Sequence, residues 1–333
     1  MSYWGLNFFG VIKHFFYTFA SFIAGNCSIE NLAIDEIQVL VLVFIGISCA
    51  LIGSFLVLRK MTMLANSISH TILIGIVIAH VILQWFFFKD IEKPFQIDMQ
   101  LLMLASFISS LLTLFLTDFF NRVLKLQKDA SIGLVFTVLF AIGIVLVTIF
   151  TRNSHIGSEI IMGNIDMVHK DDLKIALFLL LSNVLLTVVF FKEYLITSFD
   201  SNFAKLSKIS NWAFTYLLLL QTSATVIGAL RAVGVVLVLA LIVIPPLTAR
   251  LYTNRLRSMI LLACLTSALG AIIAVALSRH FLSVYGLPLS TAGLVVVCQF
   301  FIWGASVLFA PKKGVLAKYF FNAVSRVTAA NPS

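Results

Sequence analysis

IQVLVLVFIGISCALIGSFLVL, residues 37 to 58, contains no Asp, Glu, Lys or Arg. A helix rises about 1.5 Å per residue and needs about 17 to 25 mostly apolar residues to cross a bilayer, so this stretch is long enough to span one. Further charge-free runs follow at 61–88, 99–117, 130–151, 175–191, 209–230, 232–249, 258–278 and 280–311. The composition agrees: 61% of the residues are hydrophobic and 11% charged, where a soluble domain carries about 25% charged residues. The fold class is therefore all-α, a polytopic helical membrane protein. Continuous apolar runs are the opposite of the alternation a membrane β-barrel requires.

Only Arg231 separates the sixth run from the seventh. One helix over both would be about 60 Å long, twice the hydrocarbon core, so the chain must turn back. The place is GALRAVG, residues 228–234, where Gly228 and Gly234 permit a bend and Arg231 reaches the interface. Eight or nine core spans result. Residues 14–29 form a shorter charge-free run rich in Phe and Tyr, either a further span or a helix lying in the interface. The expected organisation is a hydrophobic N-terminal extension (1–35), a transmembrane permease domain (36–311) and a cytoplasmic tail (312–333).

The cations set the orientation. If every second loop from Arg59 onward faces the cytoplasm, that side holds Arg59, Lys60, Arg122, Lys125, Lys128, Lys192, Lys205, Lys208, Arg250, Arg255, Arg257, Lys312, Lys313, Lys318 and Arg326, or 15 of the 23 basic residues. The positive-inside rule then puts the C-terminus in the cytoplasm. The loop between the last two runs, with Arg279, faces outward, as do Asp35, Glu36, Asp90 and Asp166. The net charge of +9 is thus spread over loops, and no nucleic-acid partner is implied.

The four cysteines, Cys27, Cys49, Cys264 and Cys298, show no C-x-x-C spacing and read as small apolar residues. No nucleophile elbow, zinc-protease motif or phosphate-binding loop is present, so an enzyme is not indicated and any ATP used must be hydrolysed by another chain. The chemistry lies in RKMTMLANSISHTILIG, residues 59–75. On a helix Asn66 and His70 share a face, with Met63 on the same stripe. Imidazole is a common ligand for transition metals, an amide oxygen a weaker one, a thioether a softer one. Alternatively, Asn66 caps a helix and His70 hydrogen-bonds to a neighbouring one.

The stretch LIGSFLVLRKMTMLANSISHTILIG (51–75) resembles the signature of the membrane permeases of bacterial ATP-binding-cassette importers for zinc, manganese and iron. DASIGLVFTVLFAIGIVL from Asp129, IIMGNI from Ile160, FDSNFAKL from Phe199 and AVGVVLVLALIVIPPLTARL from Ala232 resemble the family in the same order. The resemblance implies a multi-pass permease of the bacterial inner membrane that pairs with a second permease, as a homodimer or heterodimer. It implies two further partners, a cytoplasmic ATP-binding subunit and an extracytoplasmic metal-binding protein. A divalent metal would be the transported substrate, with no permanently bound cofactor. It also implies that Phe199, Asp200, Phe203 and Ala204 belong to a coupling helix that docks on the ATPase. Pro245 and Pro246 break the hydrogen-bond ladder inside the seventh run, as a kink lining the pathway or as simple helix packing.

The sequence departs from that pattern at three places. Asn66 stands where the family usually has Asp, Ile74 where it has Pro, and the Gly that usually closes the coupling segment is replaced around Ser207 and Lys208. The rival reading is an ion-coupled secondary transporter, which should carry carboxylates within its spans. The charge-free runs hold none.

Overall fold

The computed structural model describes residues 8–23, 33–87, 99–151, 165–199, 201–311 and 314. Those residues are overwhelmingly helical, with no strand among them. The helices are α1 (Phe8–Ile23), α2 (Ile34–Leu58), α3 (Thr62–Phe87), α4 (Met99–Val123), α5 (Lys128–Thr151), α6 (Lys170–Val189), α7 (Phe191–Phe199), α8 (Ser201–Leu206), α9 (Asn211–Val233), α10 (Val235–Tyr252), α11 (Leu256–Tyr285) and α12 (Thr291–Phe309), with a 3₁₀ turn at Ile165–Met167. Eight of them, α2, α4, α5, α6 and α9 to α12, are long and apolar enough to cross a bilayer. With 26 residues and no Asp, Glu, Lys or Arg, α3 also has the length. With 16 residues, α1 is about 24 Å long, short of the ~30 Å hydrocarbon core.

Helices are what this sequence must form, because in lipid every backbone polar group has to be paired within its own segment. Their ends follow local chemistry. Ser210 caps α9 by accepting from the Ala213 amide at 3.3 Å, and Gly234, with φ 82°, closes it by donating to Leu230 O at 2.8 Å. The break expected at GALRAVG is therefore this single glycine; Gly228 lies within α9. Gly286 ends α11 in the left-handed conformation, which glycine adopts without penalty.

One expectation is corrected here. Arg279 does not sit in a loop between two spans; α11 runs through it to Tyr285. The helix tolerates the charge because the guanidinium is paired, as shown below.

The chain divides into two compact units, one of residues 1–57, 166–184 and 240–333, the other of 58–165 and 185–239. In the first, α2 is buried almost all round, as a helix apolar on every face should be. Lipid tails are as apolar as leucine, so helices associate in a bilayer by close packing and not by escape from water. The glycines of α2 supply that closeness. A Cβ at Gly46 would lie 2.6 Å from the Ser267 hydroxyl of α11, and one at Gly53 would run into the Ile242 carbonyl of α10. At one end of this unit, Asp166 Oδ1 accepts from Gln38 Nε2 at 2.8 Å and from the Thr291 hydroxyl at 2.5 Å. Arg279 Nη2 donates to Gln38 Oε1 at 3.0 Å and to Asp35 Oδ1 at 2.5 Å. This network ties the first turn of α2, the 3₁₀ turn, the end of α11 and the start of α12 together, and it holds the cation that the sequence placed in a loop. In the same unit α1 packs on α11 through Val11 and Ala276.

In the second unit α3 packs chiefly on α4 and α5. Gly75 approaches α4 so closely that a Cβ would lie 2.6 Å from Ala105 O, and the Thr113 hydroxyl donates to Thr71 Oγ1 at 2.8 Å. Ile74, which stands in for the usual proline, is buried against Val135 and Leu139 of α5.

Candidate functional site

Asn66 and His70 lie one turn apart in the first half of α3, both half-buried, and Met63 precedes them on the same stripe with 59% of its surface exposed. Asn66 is inside the helix, which begins at Thr62, so it does not cap it. No hydrogen bond joins Asn66 or His70 to another described side chain. The alternative in which His70 ties two helices by hydrogen bonding therefore lacks its bond. What holds the imidazole is aromatic contact: its centroid lies 5.3 Å from the Phe136 ring and 5.4 Å from the Phe140 ring of α5. Those two rings stack on each other at 5.8 Å with an 18° interplanar angle. The pair makes a shelf that fixes the plane of the imidazole while leaving both ring nitrogens for something else. Phe136 and Phe140 were not singled out in the sequence; their four-residue helical spacing within the quoted DASIGLVFTVLFAIG segment is the signal that could have found them.

By itself this stripe does not make a complete metal site. Among the described residues no group of three His, Cys, Asp or Glu side chains comes together. One imidazole and one amide, with a thioether alongside, are too few ligands to hold a divalent ion on their own. A pathway that passes ions onward suits a partial ligand set better than a closed cage does.

Pro245 and Pro246 are both buried within α10, and the helix continues through them to Tyr252. Each removes the hydrogen bond to the carbonyl four residues earlier, Leu241 and Ile242. Gly53 of α2 lies directly against the Ile242 carbonyl, so at least one of the freed carbonyls faces a close-packed backbone in the same unit, where a Cα–H contact can partly compensate it.

The segment expected to couple to the ATPase has two faces. Tyr194 of α7 is fully buried and donates its hydroxyl to Gln221 of α9 at 3.1 Å; burial pushes its phenol up to about 12. Ala204 of α8 is likewise fully buried, whereas Phe199, Phe203 and Leu206 are 62%, 53% and 83% exposed. Phe203 and Leu206, three residues apart on α8, share one apolar face, and Phe199 is exposed at the end of α7. Ala204 therefore belongs to the face that anchors the segment, and Phe199 and Phe203 to the one left open, where Leu206 joins them. Asp200 lies outside the described residues. Of the cysteines, Cys49, Cys264 and Cys298 are free thiols, and Cys27 also lies outside the described residues.

A model of the ABC 3 transport family matches residues 36–310. The chain belongs to that family. A Chlamydia trachomatis protein described as "Probable metal transport system membrane protein" is 37% identical over 88% of this chain and 89% of its own length. The manganese transport system membrane protein MntD of Bacillus subtilis is 34% identical over 83% of this chain and 92% of its own. The solved structure of PsaBC from Streptococcus pneumoniae in complex with Fab covers 89% of this chain and 97% of its own, with a TM-score of 0.69 and 25% identity. An ABC 3 member is a multi-pass membrane permease, a transport component that works with partner subunits, and the ion-coupled secondary transporter is set aside.

Proposed function

We propose that this chain is the permease subunit of an ATP-driven importer that carries zinc, manganese or iron into a bacterial cytoplasm. The observation that carries this reading is the stripe of Asn66 and His70 within a span of an ABC 3 transport chain, where neither side chain is spent on a hydrogen bond to another described side chain. The names of the relatives, metal transport and manganese transport membrane proteins, support the cargo. The ligand set is finished by a second permease copy or a related chain across the pathway. An extracytoplasmic metal-binding protein delivers the ion, and a cytoplasmic ATP-binding subunit docks on the exposed Phe199, Phe203 and Leu206. The metal is cargo, and no resident cofactor or nucleic acid is involved. The chain sits in the cell inner membrane with its C-terminus in the cytoplasm, as the distribution of basic residues supports.

The test is metal uptake into proteoliposomes holding the permease with its ATP-binding subunit, with zinc, manganese and iron offered in competition. Uptake of one or more of them that stops without ATP or without the ATP-binding subunit is the expected result. Uptake driven by a proton or sodium gradient with no ATP-binding subunit present would overturn the reading.

A further inference from the structure

The three-residue turn between α2 and α3, Arg59 to Met61, holds an arginine in an unusual setting. Arg59 is substantially buried, and burial lowers its pKa to about 10. Among the described residues it has no carboxylate partner. Its three nitrogens are all engaged by hydroxyls: Nε donates to Ser198 Oγ at 3.0 Å, Nη1 to Thr215 Oγ1 at 2.8 Å and Nη2 to Thr197 Oγ1 at 2.5 Å.

Each hydroxyl has its single proton committed elsewhere. Thr197 Oγ1 donates to Glu193 O at 2.7 Å, Ser198 Oγ to Tyr194 O at 2.6 Å and Thr215 Oγ1 to Asn211 O at 2.8 Å. What each presents to Arg59 is therefore a lone pair and nothing else. The three side chains form a receptor that only a donor can enter, and the planar guanidinium fork fills it where an ammonium could reach just part of it. The neighbouring Lys60 takes a left-handed φ of 56°, a conformation that costs a non-glycine residue about 1 kcal/mol or more.

The positions of the partners give the receptor its meaning. Thr197 and Ser198 form the last turn of α7, which leads directly into α8 and the exposed Phe203 and Leu206. Thr215 is in the first turns of α9, on the far side of α8 in the chain. On the other side of the contact, Arg59 is three residues before α3, and His70 lies about 12 Å along that helix.

We propose that Arg59 is the positioning residue that makes the coupling segment and the start of α3 move as one body, so that a displacement at α8 reaches the face carrying Asn66 and His70. This rests on the reading of α8 as the ATPase docking site. A looser contact would let the docked ATPase turn over while α3 stayed still.

The experiment measures metal moved per ATP hydrolysed by the reconstituted permease and ATP-binding subunit. In Arg59→Lys, which keeps the charge but loses the fork, the ratio should fall at least tenfold while hydrolysis stays within about twofold and the ATP-binding subunit still copurifies. The pair Thr197→Val and Ser198→Ala, which leaves Arg59 in place and empties the α7 side of the receptor, should do the same. Thr197→Ser, which keeps the hydroxyl, should preserve the ratio. A normal ratio in Arg59→Lys and in the Thr197/Ser198 pair overturns the proposal, and so does failure of both to assemble, which would make the receptor a folding element. Wild-type uptake that needs no ATP-binding subunit would instead overturn the functional reading beneath it.

Discussion

His70 and Arg59 lie eleven residues apart in one stretch of chain, and the structure treats them in opposite ways. His70 meets its surroundings through ring faces alone, with no hydrogen bond to a described neighbour. Arg59 has every nitrogen engaged by a hydroxyl that has nothing else to give. A polar group held only by aromatic contact has its lone pairs available to a passing ligand. A polar group with each of its nitrogens fixed by a hydrogen bond is held in place, and it can carry force. On the reading proposed above, the difference separates a place where an ion pauses from a place where motion is handed on.

The sharpest way to break this comparison is to remove the imidazole. His70→Ala should reduce metal uptake by about a hundredfold or more, to background, while the complex assembles and still hydrolyses ATP. Radiolabelled metal uptake, with assembly checked by copurification, reads the outcome. Wild-type uptake by a well-assembled His70→Ala complex would leave the histidine as packing for Phe136 and Phe140.

The next largest effect tests whether the two places are separable. Phe203 and Leu206 are exposed, so charging them leaves the interior untouched. The double change Phe203→Asp and Leu206→Asp should abolish copurification of the ATP-binding subunit and lower uptake more than tenfold. Metal binding by the isolated permease, measured by equilibrium dialysis, should stay within about twofold of wild type. The same charge at Ala204 should fail differently, by lowering the yield of folded protein, because Ala204 is fully buried and an unpaired charge there costs several kcal/mol.

How much of this could be read from sequence follows from what each feature depends on. The spans were legible because a bilayer leaves helices as the only economical choice for charge-free runs. Arg279 was misread as loop because a lone cation between apolar runs looks like punctuation. Its partners, Asp35 and Gln38, are more than 240 residues away along the chain, and nothing local announces them. Arg59 was counted only as a positive-inside residue for the same reason, since the three hydroxyls that receive it come from α7 and α9, 138 to 156 residues later. The stripe of Met63, Asn66 and His70 was legible from helical spacing, but whether His70 would be spent on a hydrogen bond was not. The exposed and buried sides of α8 were likewise beyond reach, because six residues fit either register until Ala204 is seen to be covered.

A subtler change sharpens the open side of the comparison. Asn66 offers a neutral oxygen on the face of His70; Asn66→Asp would add a hard anionic one, favoured by manganese over softer competitors. Metal binding should tighten and the order of preference among zinc, manganese and iron should shift toward manganese, by about three- to tenfold in a competition uptake assay. Uptake of any single metal need not rise, because an ion held in a deeper well leaves it more slowly. An unchanged order of preference would mean that position 66 does not face the ion.

The smallest expected effect concerns the shelf behind His70. Phe140 meets the imidazole with an edge-on geometry at 5.4 Å and also stacks on Phe136. Aromatic pairs of this kind contribute about 0.5 to 1.5 kcal/mol beyond the area they cover. Phe140→Leu keeps the apolar volume roughly constant and removes the ring, so the imidazole gains freedom to turn while the helix stays packed. If the shelf serves to aim the ring nitrogens, the apparent metal affinity should weaken about two- to fivefold, with the yield of folded permease unchanged. The amount of metal moved per ATP should also stay unchanged, because the Arg59 receptor is untouched. Phe140→Tyr, which restores the ring, should recover the affinity. If Phe140→Leu instead lowers the yield and leaves the affinity of the surviving protein as it was, the two phenylalanines are packing between α3 and α5, and His70 is oriented by the ion and not by the shelf.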